Sequence, residues 1–290
     1  MRDFIVMTDS CCDMSAQLAE ELDLKVLPLS LLMGGATYRN YLDGRELSFA
    51  DFYTRVRGGQ LATTSAVSVG EFEEAMRPVL EDGKDILCLC FSSALSTTYQ
   101  SAVIAAEEMQ ESFPESKVCV VDTLCASLGQ GLLVYLCAQQ KKAGKTLEEV
   151  RDYAESTKGS VCHWFTVDDL NHLKRGGRVS SAAALFGTML SIKPVLHVDD
   201  QGRLIPVSKA RGRKASLLAL VDHMEQTAVN PKDQTVFISH GDCLEDAKFV
   251  AEEIRRRLGT EDIRINYIGP VIGNHAGPGT VALFFLGTER

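Results

Sequence analysis

The chain has 290 residues, 45% of them hydrophobic and 24% charged, which is enough apolar material for two ordinary domains or one large α/β domain and excludes a disordered chain. A net charge of −9 excludes a nucleic-acid surface built on clustered cations. Nine cysteines without a CxxC pair, and no histidine pair at ligand spacing, argue against a disulfide framework and against a metal site.

Residues 3–9 read as an apolar strand ending in Thr8, Asp9 and Ser10, followed by helical spacing over 15–22. MRDFIVMTDS has no apolar signal core, and no run reaches transmembrane length, so a cytoplasmic protein without stable membrane insertion is expected. Residues 25–33 read as one strand whose Pro28 suits an edge, and 48–56 as a helix begun by Ser48 with Asp51 three residues on. A run of hydroxyls, Thr63, Thr64, Ser65 and Ser68, leads into a helix over 69–80. Ser68 and Glu71 explain themselves as its cap, whereas Thr64 and Ser65 lie before the cap and need another role.

Residues 85–91, DILCLCF, form an apolar strand after Asp85 that breaks into SSALSTTYQSA, where Leu95, Tyr99, Val103 and Ala106 recur at helical intervals. Ser92, Ser93, Ser96, Thr97 and Thr98 would dress the first turn of that helix. Its free N–H groups and positive dipole end favour an anion, a carboxylate or a phosphate; the plainer reading makes one serine a cap and the rest solvated.

A strand over 117–122 ends in Asp122, and a helix spans 128–143. Gly129-Gln130-Gly131 imitates a dinucleotide fingerprint, but Val134 stands where its third glycine belongs; Thr146 with Glu149 reads as a capping box opening a helix to Thr157. After a short strand, a helix from about Asp168 points Leu170 and Leu173 inward and stops at Gly176-Gly177, leaving Lys174, Arg175 and Arg178 near its end. A hairpin joins strands over 191–198 and 203–209, and Lys209, Arg211, Arg213 and Lys214 form one basic cluster, read as a solvated junction. Helices over 215–226 and 244–258 alternate with strands over 235–239, 263–268 and 280–285. Between the last two strands lies a glycine-rich loop over 273–279 that carries His275, the histidine hardest to assign to a core; His240, also at a strand end, could edge a site.

This alternation predicts an α/β fold of two α/β units with mainly parallel sheets, 1–160 and 161–290. In such sheets ligands gather beyond the strands' carboxyl ends, where Asp9, Ser96 and Asp122 fall.

Taken in order and spacing, TDS at 8–10, Thr64-Ser65, SSALSTTYQSA, VVDT at 120–123, LKRGGRVS at 173–180, Lys193-Pro194 and HAGPG at 275–279 resemble the DegV family across essentially the whole chain. The resemblance implies a two-domain α/β protein holding one long-chain fatty acid in a tunnel between its domains. In several members it implies the lipid-carrier subunit of a bacterial fatty acid kinase, which presents the carboxylate to an ATP-dependent partner that makes acyl phosphate for phospholipid synthesis. It implies no cofactor. Carried over, Thr64 and Ser96 are the carboxylate-holding hydroxyls, Ser65 and Ser93 their neighbours, Arg175 the arginine beside the head group and His275 the histidine of the closing loop. Two departures stand out: Thr97 occupies the place of the usual glycine, and Ala66-Val67 that of the usual Gln-Pro. The competing reading is a hydrolase or acyl transferase with Ser96 or Ser93 as nucleophile, His275 as base and Asp9 or Asp122 as orienter, although a G-x-S-x-G elbow is missing.

Overall fold

The computed structural model describes residues 2–179 and 192–290; Ser180 of the LKRGGRVS motif and Ser191 of a predicted strand lie outside them. The first apolar run is strand β1 (Phe4–Asp9), followed by a 3-10 turn (Ser10–Cys12) and helix α1 (Ala16–Glu21), capped by the Ser15 hydroxyl. The single strand predicted over 25–33 is two, β2 (Leu24–Leu27) and β3 (Ser30–Met33), in different sheets. Pro28 has no N–H to donate, and the Leu29 N–H goes to Ser10 Oγ at 3.0 Å, so the ladder breaks there.

Then come β4 (Ala36–Arg39), α2 (Phe49–Arg57), β5 (Ala62–Ser65) and α3 (Val69–Glu81). Ser48 and the Ser68–Glu71 capping box open the two helices as their sequence signals predict. β6 (Asp85–Cys90) is buried at every residue and leads to α4 (Thr98–Ser112), β7 (Val118–Asp122), α5 (Leu128–Lys142) and α6 (Leu147–Thr157). β8 (Val161–Thr166), α7 (Asn171–Arg175), β9 (Ile192–Val198), β10 (Leu204–Arg211), α8 (Arg213–Thr227), β11 (Val236–His240), α9 (Leu244–Leu258), β12 (Ile263–Tyr267), α10 (Pro270–Ala276) and β13 (Val281–Leu286) complete the described chain.

The fold is mixed α/β. A parallel sheet of order β2-β1-β6-β7 agrees with the strand–helix alternation. The six-stranded sheet β10-β9-β8-β13-β11-β12 is mixed: only β11 and β12 pair in parallel, because β9–β10 is a hairpin and β13 inserts between β8 and β11 running against both. Mainly parallel pairing thus describes the first sheet and not the second. A small antiparallel sheet, β4-β3-β5, carries Thr64 and Ser65.

Helix α5 lies between the two larger sheets, touching β1 and β6 on one side and β8, β11 and β13 on the other. It is buried from Leu128 to Val134, and its residues join both sheets in one apolar cluster running from Phe4 to Phe284. The glycines that imitate a dinucleotide fingerprint serve this packing. A Cβ at Gly129 would sit 2.0 Å from His163 Nε2, and one at Gly131 2.6 Å from the Cys12 carbonyl oxygen.

Candidate ligand-binding site

A cavity of about 440 Å³ opens where the segments after β6 and β7 face the inner side of the mixed sheet. Apolar side chains cover much of its wall, with Phe91, Phe165, Val198, Leu204, Val271 and Phe284 contributed by both sheets and by α10. The volume falls within the ordinary range for small-ligand pockets, about 300–1,000 Å³.

One corner of this cavity is polar, and a chain of contacts assembles it. Thr64, half-buried on β5, has its Oγ1 2.9 Å from His275 Nε2. His275 packs so closely on Gly176 that a Cβ there would lie 2.2 Å from its Nδ1. Arg178 donates from Nη1 to the Gly176 carbonyl and from Nε to the Leu95 carbonyl at 3.2 Å, which brings it beside Ser96. Ser96 Oγ accepts from the Thr98 N–H at 3.2 Å and lies 2.9 Å from Thr98 Oγ1. Thr64, Ser65, Ser93, Ser96, Thr97, Arg178 and His275 all line the cavity.

Burial, then the charges of Arg178 and Arg175, hold the His275 pKa down at about 4, so the ring is neutral near pH 7. Its Nδ1 is buried with no hydrogen-bond partner among the described residues. An anion seated here would therefore meet hydroxyl donors, an arginine and a ring nitrogen that can become a donor.

Several expectations are revised. The helix after β6 begins at Thr98, and Thr97, its cap residue, makes no side-chain cap bond. Ser92 to Thr97 thus form a loop ahead of the helix, and the helix buries Thr98, Ala102, Ala105, Ala106 and Met109, with Tyr99 and Val103 only half-buried. Ser92 is structural, because its hydroxyl donates to the Gly202 carbonyl at 2.9 Å in the β9–β10 turn and so ties the two sheets together. Ser93 and Ser65 are exposed at the cavity wall, and the Ser93 N–H donates to Asp122 Oδ1 at 3.1 Å. Arg175 is exposed, donates to His172 Nδ1 at 2.9 Å and is not among the lining residues; the arginine on the wall is Arg178, three positions on. His275 sits not in a loop but on the last turn of α10, which Pro270 starts with its preset φ. His240 packs on the Tyr267 ring and does not line the cavity.

The Ser/His/Asp arrangement is not assembled. His275 Nε2 faces Thr64, and its Nδ1 has no carboxylate partner among the described residues. Asp9 accepts from the Cys11 and Phe91 N–H groups and from Gln130, and Asp122 from Ser93 and Leu124, so both acids fasten strand-end loops.

Sequence reading missed three polar residues on the wall, Ser127, His163 and Thr280, the last with its hydroxyl donating to the Ala276 carbonyl at 3.0 Å. His163 Nδ1 faces the Val161 carbonyl at 2.8 Å and its Nε2 accepts from the Ala126 N–H at 3.2 Å, so both nitrogens are used. Ser127 has φ of +52°, a left-handed conformation rare outside glycine, and its hydroxyl reaches a buried carboxylate, Asp13.

The family model described as "Uncharacterised protein, DegV family" matches residues 3–288. A DegV domain-containing protein of Clostridium perfringens is 48% identical over 290 residues, covering 100% of this chain and 99% of the relative. A solved DegV family protein from Thermus thermophilus, described for its fatty acid binding, has a TM-score of 0.89 at 32% identity and covers 99% of this chain and 100% of its own. A DegV lipid-binding protein from Thermotoga maritima has a TM-score of 0.86 at 30% identity, with 99% of each chain covered.

Proposed function

The chain belongs to the DegV family, and from that premise we propose that it binds one long-chain fatty acid in the cavity, carboxylate at the Thr64–Ser96–Arg178–His275 corner, and presents it to an ATP-dependent kinase partner. The observation that carries the reading is the pairing of one polar corner with a mostly apolar wall in a single cavity. Each buried methylene contributes about 0.8 kcal/mol, so the tail supplies affinity while the corner fixes the head. A bare carboxylate would be costly to bury without those donors. Arg178 replaces Arg175 as the arginine of this reading, with Ser65 and Ser93 at the exposed lip; Arg175 stays close enough to add its field at His275.

The proposed units, 1–160 and 161–290, divide the walls between them: the parallel and three-stranded sheets precede the division, and the six-stranded sheet follows it. A hydroxyl-lined, partly open head-group corner suits a carrier, because the carboxylate must stay available as a nucleophile when the partner brings ATP. The test is solvent extraction and mass spectrometry of the purified protein, then delipidation and titration with fatty acids. Recovery of a C14–C18 acid and saturable one-to-one rebinding are expected; failure to bind any fatty acid after delipidation overturns the reading. A covalent fluorophosphonate adduct on Ser96 would instead restore the hydrolase. With a partner kinase, ATP-dependent acyl phosphate must appear only when both proteins and the lipid are present.

A further inference from the structure

Asp13 lies where both sheets, α5 and α10 converge. It is 3% exposed and has φ of +50° at the end of the 3-10 turn after β1. Its Oδ2 accepts from Ser127 Oγ at 2.6 Å, and its Oδ1 accepts from the Gly269 N–H at 2.9 Å. Its own carbonyl accepts from Asn266 Nδ2 at 2.8 Å, and Ser127 Oγ lies 2.9 Å from Ser239 Oγ on β11. Ser127 opens α5 and lines the cavity, and Gly269 is the cap residue of α10, the helix that carries His275. One buried carboxylate therefore holds two separate parts of the cavity wall, one of them the support of the polar corner.

We infer that Asp13 is a positioning residue for lipid binding, fixing the α5 wall through Ser127 and the α10 wall through Gly269. This inference rests on the cavity being the fatty acid site. The titratable groups that face Asp13 are Asp9, Cys11 and Cys12 on its own segment and Tyr53 on α2; no cation pairs with it among the described residues. Burial raises its pKa to about 7, against the lowering effect of Ser127 and Gly269. Once protonated, the acid keeps the whole network: Oδ1 still accepts from Gly269, the new O–H donates to Ser127, and Ser127 can turn to Ser239. A lipid chain lying on Ser127 excludes water and further disfavours the ionised form, so by linkage the protonated protein binds the lipid more tightly.

Asparagine presents the same acceptor and donor as the protonated acid, without the charge, whereas alanine leaves Gly269 and Ser127 without their partner. The test follows release of cis-parinaric acid from the full chain between pH 5.5 and 8.5 for wild type, Asp13→Asn, Asp13→Ala and Ser127→Ala. Expected are release at least about tenfold faster for Asp13→Ala, the scale of either one of the two hydrogen bonds it loses, and slow release restored by Asp13→Asn. Wild-type release should quicken as pH rises through about 7, and the asparagine variant should flatten that step. Unchanged release in Asp13→Ala, an asparagine variant as fast as the alanine one, or an asparagine pH profile parallel to wild type overturns the inference while leaving the lipid site intact. A wild type that does not bind the probe overturns the site reading itself. Should circular dichroism show Asp13→Ala unfolded, Ser127→Ala decides: release several-fold faster supports the clamp, and wild-type release overturns it.

Discussion

At the scale of single residues, the polar corner makes separable predictions. Thr64→Val combined with Ser96→Ala should weaken fatty acid binding by about 1.5–3 kcal/mol, the range for hydrogen bonds to a charged group, with thermal stability almost unchanged; equal affinity by titration would remove the hydroxyls from the head-group site. His275 offers a pH test. Its native pKa of about 4 lies below the ordinary 6.5, so native stability gained from the neutral ring is complete above 6.5 and is lost as pH falls toward 4. NMR should show His275 titrating near 4 without ligand and moving upward when a carboxylate is bound, because a nearby negative charge favours imidazolium. No ligand-linked change would place the carboxylate elsewhere. Thr64 and Ser96 were legible as candidates for the cavity wall because hydroxyls clustered ahead of a capped helix or after a strand have few structural excuses. Arg178 was not distinguishable from Arg175 by spacing, since the chain leaves the helix at Gly176 and turns at Gly177, so the two arginines do not share one helical face. Ser127 and Asp13 gave no sequence signal at all, because their meaning comes from partners more than 100 positions away.

At the scale of elements, capping signals and apolar runs placed most strands and helices within a residue or two. The failures have physical causes. A proline between two apolar halves split one predicted strand, a loop of hydroxyls delayed α4 to Thr98, and packing of α10 against β5, α2 and α7 overrode the weak helical preference of a glycine-rich stretch. Helix α5 is the most sensitive element, since it is packed from both sides. Gly129→Ala should gain up to about 1 kcal/mol of helix propensity yet destabilise the protein by about 1–3 kcal/mol net, because the added methyl meets the His163 ring. Urea denaturation checks the sign; a more stable variant would mean that β8 and α5 have room to separate.

At the scale of the molecule, the α/β class was legible from alternation, but the pairing direction of the second sheet was not, since strands that follow helices can enter a sheet in either direction. The cavity was equally illegible: its wall draws on strands from both sheets, and no local pattern marks such a surface. No helix among the described residues is long and apolar enough to cross a membrane. On the proposed function, one fatty acid lies in this cavity with its carboxylate at the Thr64 corner. The most direct test is a crystal structure of the delipidated protein reloaded with a single saturated fatty acid. Expected is one elongated ligand filling the cavity, its carboxylate within hydrogen-bond reach of Thr64 and Ser96 and facing Arg178 and His275. An empty cavity, or a lipid whose carboxylate lies at Ser127, would contradict it.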